Sequence, residues 1–160
     1  MKLRILCSVF AVFGCAGLPI TPEELGPSAG RLPAIKTQEA ILPNITYEQM
    51  FLRMKTYAEK CLNFSRKVPC GKRCVPSTVR FTPTIITDKN RVTLYLQKKG
   101  GGMAMRKAQT NGFYLMSAQA LTNGSGQQLM IHGVDNPQHG FITQPTMDWL
   151  ADKKKVCPKL

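Results

Sequence analysis

Apolar residues recur at helical spacing in one stretch of the chain and at strand spacing in several others. Tyr47, Met50, Phe51, Met54, Tyr57, Ala58, Cys61 and Leu62 follow the i, i+3, i+4, i+7 pattern of one helix face. Thr46 precedes them and Gln49 lies three residues on, the two halves of a capping box, with Ile45 and Met50 placed as a hydrophobic staple. The spacing predicts a helix from just after Ile45 to near Asn63. After a cysteine-bearing loop over residues 65–76, the period changes to two. Val79, Phe81 and Ile85 share one side of an extended segment, in which Pro83 marks an edge or a bulge. Val92, Leu94 and Leu96 alternate with Thr93, Tyr95 and Gln97, as in a half-buried strand, and residues 88–90 form the turn between the two. Residues 113–121 and 127–134 make a second strand pair around Asn123-Gly124-Ser125-Gly126.

A short helix closes the pattern. Pro145 suits its first turn, Asp148 lies near its start and Lys153, Lys154 and Lys155 near its end, in keeping with the helix dipole. Trp149 and Leu150 are its expected core anchors. The order predicts an α+β fold. A long N-terminal helix and a short C-terminal helix pack on one face of an antiparallel sheet of about four strands.

The first residues follow a different logic. Lys2 and Arg4 precede an almost wholly apolar run over residues 5–13, followed by the small residues Gly14, Ala16 and Gly17 around Cys15. That is the layout of an export signal, and the run is shorter than the roughly 20 residues a bilayer span needs. Val12-Phe13-Gly14-Cys15 resembles the bacterial lipobox, with Val12, Gly14 and Cys15 matching and Phe13 departing from the usual residue. The resemblance implies lipid attachment at Cys15 and an outer membrane location facing the periplasm, because Ala16 stands where a retention aspartate would. Ordinary cleavage after Ala16 is the alternative, giving a soluble periplasmic or secreted protein. Pro19, Pro22, Pro27, Pro33 and Pro43, mixed with Gly17, Gly26 and Gly30, show neither period and read as a semi-extended tether. The expected organisation is a signal over residues 1–14, a tether over 15–44 and one domain over 45–160. About 115 residues are enough for one core and too few for two.

Charge and cysteines narrow the partners. The formal net charge is +13, and the stretch from Lys60 to Lys107 holds twelve Lys and Arg residues against one acid, Asp88. Such a field attracts anionic partners, and Lys98, Lys99, Arg106 and Lys107 are the candidate contacts. Stacking aromatics are not interleaved with these cations, so a nucleic-acid role is poorly supported. Cys61, Cys70, Cys74 and Cys157 suit two disulfides in an oxidising compartment. The preferred pairing is Cys70 with Cys74 and Cys61 with Cys157, and two other pairings satisfy the same count. A zinc site from Cys70, Cys74, His132 and His139 is disfavoured by the three-residue gap between the cysteines.

His132, Asp135 and His139 form the only candidate catalytic or hydrolytic metal cluster, in a turn-rich segment whose spacing fits no helix-borne metal motif. Gly100-Gly101-Gly102 lacks the phosphate-cradling pattern of a P-loop. No nucleophile elbow or carboxylate pair is present, so no catalysis and no cofactor are expected. Sequons at Asn44, Asn63 and Asn123 keep a secreted eukaryotic protein as a minor alternative.

With Cys15, the tether, the Thr46-capped helix ending at Cys61, the strands between Val79 and Val134, Trp149 and Cys157-Pro158 in view, the chain resembles small uncharacterised proteobacterial lipoproteins. That resemblance implies a cell-envelope protein with a structural or protein-binding role. Its expected partners are the membrane, an anionic envelope polymer or another envelope protein.

Overall fold

The computed structural model describes residues 19–25, 35–68, 77–100, 112–135 and 141–160. Its elements are β1 (Ile35–Pro43), α1 (Tyr47–Tyr57), β2 (Phe64–Val68), β3 (Ser77–Asp88), β4 (Arg91–Gly100), β5 (Phe113–Asn123), β6 (Gly126–Val134) and α2 (Thr143–Leu150). The six strands form one antiparallel sheet in the order β1-β6-β5-β4-β3-β2. This corrects the expectation of a long helix over about four strands. The protein is mostly sheet, and regular α-helix covers only 11 residues in α1 and 8 in α2.

The two unexpected strands are the sheet's edges. β1 falls within the segment read as tether, and β2 begins at the entrance of the loop expected over residues 65–76. An edge strand has one neighbour and both faces half in solvent, so the alternation that marks a strand in sequence is weak there. In β1 no residue is fully buried, and in β2 Phe64 packs against the core while Ser65, Arg66 and Lys67 are exposed.

α1 starts as expected. The Gln49 amide donates to the Thr46 hydroxyl (3.2 Å), and the Thr46 amide donates to the Gln49 side chain (3.0 Å). Met50, Met54 and Tyr57 point into the core without exposure. The last turn, Ala58–Leu62, widens to π geometry, which buries Ala58, Cys61 and Leu62 together. α2 stops at a left-handed Asp152 (φ 61°), so the three lysines 153–155 lie past the helix rather than on its last turn.

Both helices cover the same sheet face, over Leu94, Leu96, Met116, Ala118, Leu129 and Ile131, all fully buried. Tyr57 and Trp149 bring α1 and α2 together with ring centres 5.4 Å apart. The Thr146 hydroxyl donates to the Ile142 carbonyl (2.7 Å) and shares a second 2.7 Å bond with the Tyr57 hydroxyl. Burial raises the Tyr57 pKa above the usual phenol range, only partly offset by that bond. Gly133 lets α2 approach β6, since a Cβ there would lie 2.7 Å from Thr143 Cγ2 and 2.9 Å from Ile142 Cγ2.

The hairpins follow from their turns. Gly124 takes φ 59° in the two-residue loop between β5 and β6, as such loops demand. Pro83 is tolerated inside β3 because β2 pairs only as far as Phe81, leaving the outer side of β3 at Pro83 without a strand. Residues 19–25 pack beside β5. The Tyr114 amide donates to the Pro19 carbonyl (2.8 Å), and Leu25 is fully buried.

Candidate anion-binding corner

The register of β2, β3 and β4 assembles cations that the sequence keeps far apart. Ser65 pairs with Arg80, and Arg80 pairs with Lys99. Directly opposed residues project from the same sheet face with Cβ atoms about 5 Å apart. Lys67, two residues beyond Ser65 on β2, is the diagonal neighbour of Arg80, at about 7–8 Å. Lys67, Arg80 and Lys99 are all exposed and lie on the sheet face away from the helices.

Two further cations sit on the helix-covered face of the same corner. Arg66 pairs with Val79 and donates to the main-chain oxygen of Leu160, while Lys98 pairs with Phe81. Phe81 stacks on Phe64 with centroids 4.6 Å apart, a rigid floor beneath these stems. Burial, with the Arg66 guanidinium adding to it, holds the Lys98 pKa below the usual lysine range.

Like charges placed directly opposite each other on adjacent strands destabilise a sheet. The chain has nine acids, and the three ion pairs among the described residues are Arg53–Asp152, Arg91–Asp88 and Lys155–Asp152, all outside this corner. On the outer face, Lys67, Arg80 and Lys99 therefore concentrate positive potential, with no Asp or Glu among their strand partners.

Of the expected anionic-partner contacts, Lys99 joins Arg80 and Lys67 on the outer face, whereas Lys98 lies on the opposite, helix-covered face beside Arg66. Arg106 and Lys107 lie outside the described residues. The Arg80–Lys99 pair lay one register step from the sequence reading: a turn over residues 88–90 opposes Arg80 to Lys98, whereas the observed pairing of Asp88 with Arg91 leaves a two-residue turn and opposes Arg80 to Lys99. Lys67 was out of reach, since β2 has no turn or period that sets its register.

The other candidates divide similarly. Cys61 and Cys157 form a disulfide with Cα atoms 5.1 Å apart, tying the C-terminal tail to the π turn after α1. Cys15, Cys70, Cys74 and His139 lie outside the described residues. His132 is buried on β6, where its Nδ1 shares a 2.8 Å hydrogen bond with the Thr37 hydroxyl of β1. Burial lowers its pKa, with Glu39 pulling the other way. Asp135 is committed to the start of α2, where one carboxylate oxygen accepts from the Ile142 amide (2.6 Å) and the Thr143 amide (3.0 Å) and the other from the Thr143 hydroxyl. His132 and Asp135 thus serve the fold, and among the described residues no three His, Cys, Asp or Glu side chains group to hold a metal.

A groove between α1 and the tail, lined by Gln49, Arg53, Trp149 and Asp152, is bridged by its own polar groups. Arg53 donates to the Leu150 carbonyl (2.8 Å) and pairs with Asp152 (3.5 Å). No helix among the described residues is long and apolar enough to cross a membrane. Protein-family models give no match to the chain, and curated proteins give no significant one.

Proposed function

We propose that this chain is an exported, non-catalytic binding protein of the bacterial cell envelope, held to the membrane by a lipid on Cys15, whose basic corner engages an anionic envelope polymer. The observation that carries the binding role is the Arg80–Lys99 cross-strand pair, with Lys67 diagonal to it and no carboxylate among its strand partners. A phosphate- or carboxylate-bearing polymer laid over these side chains would supply the missing counter-charge. Export is supported by the signal-like residues 1–17 and by the Cys61–Cys157 disulfide, a bond of oxidising compartments.

The test is binding of the full chain to polyphosphate and to polygalacturonate across a salt series. The expected result is affinity that falls steeply with salt, with a shallower slope in the Arg80→Gln, Lys99→Gln double variant. Affinity indifferent to salt, or unchanged in that variant, would reject the corner as the site. The anchor is tested separately, by the intact mass of the mature protein and by membrane association of Cys15→Ala. Unchanged processing and membrane retention in Cys15→Ala rejects the lipid.

A further inference from the structure

The sheet has two edges, and they are protected against further pairing to different degrees. β2 is 5 residues long and bears Arg66 and Lys67 side by side. β1 is 9 residues long, and its Lys36 and Glu39 cancel in charge. Among the described residues β1 pairs only with β6, and its Ile41 is 74% exposed. A long edge without net charge and with an exposed isoleucine is a template for another strand.

We infer that β1 is a homodimer interface, pairing antiparallel with β1 of a second copy to continue the sheet. A dyad perpendicular to a continuous sheet opposes residues of equal parity, so the axis passes through one residue of β1. Centred on Gln38, it sets Ile41 against Ile35 of the second copy and Thr37 against Glu39, joining apolar to apolar and hydroxyl to carboxylate. Centred on Thr37, it sets Glu39 against an isoleucine; centred on Glu39, it opposes two carboxylates. Centred on Ala40, it sets Glu39 against Ile41 and aligns Pro43, which has no N–H, with Thr37. The sequence of β1 thus selects one self-complementary register.

Charge placement favours a second copy at this edge. Two chains of net charge +13 repel, but the basic corner lies on β2 to β4, three to five strands from β1. At about 4.8 Å per strand, a dimer through β1 separates the two corners by about 35–50 Å, several screening lengths at physiological salt. No dimer through β2 has this property. A single strand seam is small against the standard interface, so the association is concentration-dependent. This inference stands independently of what the basic corner binds.

The experiment is sedimentation velocity of the full chain at rising concentration, beside amide hydrogen exchange. The expected result is a monomer–dimer equilibrium below about 100 µM, with β1 amides gaining protection as concentration rises and β2 amides unchanged. Ile41→Lys, at an exposed site, weakens the dimer by about tenfold or more while leaving the melting temperature in place. A wild-type chain that stays monomeric through about 1 mM overturns the inference. So does a dimer that survives Ile41→Lys, or one that protects amides elsewhere and leaves β1 exchanging freely.

Discussion

The two edges of the sheet meet the same physical problem in opposite ways. β2 is short and cationic, and it is buttressed from the helix side by the disulfide-tied tail, where Arg66 donates to the Leu160 main-chain oxygen. β1 is long and near neutral. It is steadied by two side-chain bonds, Thr37 with His132 and Gln38 with Gln144. The basic edge carries a field suited to anions and repels a further strand; the neutral edge has no such repulsion. On the proposed function, charge that costs stability in a sheet would keep one edge for an anion and leave the other for a strand.

Perturbations of each edge sharpen that contrast. The largest effect is expected at the β2 side, from the Cys61→Ser, Cys157→Ser double variant. The bond closes a loop across a sequence separation of 96 residues, and its loss should cost about 4–5 kcal/mol in denaturant unfolding. If the variant unfolds at the wild-type midpoint, the tail does not brace this edge. Phe81→Ala should follow, at about 3–5 kcal/mol, because it empties a fully buried ring site stacked on Phe64. It should also blunt polyanion binding more than Leu129→Ala, a core truncation remote from the corner.

At the β1 side the lever is pH. Burial keeps the folded His132 neutral, whereas the unfolded imidazole takes up a proton near its ordinary pKa of 6.5. The unfolded chain thus binds more protons as pH falls below that value. Stability is complete above it and declines on acidification until the folded imidazole also protonates. Chemical unfolding followed between pH 7.5 and 5 should show this decline, and His132→Gln should flatten it; equal slopes in both proteins would remove His132 as the cause. The smallest effect is Lys99→Gln, which relieves the like-charge pairing with Arg80 and should raise stability by about 0.3–0.5 kcal/mol at low salt, a gain that added salt erases. A loss of stability would mean that the pair is already neutralised within the protein.

How much of this was legible depended on burial. α1 could be read to within a residue at its start, because a capping box and a one-sided apolar stripe act locally. The hairpins β3–β4 and β5–β6 could be read because their inner strands alternate against a covered face and their turns carry Asp88, Asn90 and Gly124. β1 and β2 could not. In β1, flanked by Pro33 and ending at Pro43, the core-facing Ala40 and Leu42 are only partly buried, and β2 owes its place to Phe64 meeting Phe81. The candidate site shared that limit. The excess of Lys and Arg was plain, but Lys67 joins Arg80 only through the pairing of an edge strand.

The strand order has a consequence in time. Hairpins close within microseconds, so β3–β4 and β5–β6 assemble from neighbours in sequence. Among the described strands the first in sequence, β1, pairs with the last, β6, and Cys61 bonds to Cys157, 96 residues further on. Contacts of such long range form late and slow the folding of the whole. Until β6 is in place, β1 waits with both of its hydrogen-bonding sides unpaired, and Cys61 waits with Cys70 and Cys74 nearer to hand. The bond that secures the finished protein is thus among the last that an emerging chain can make.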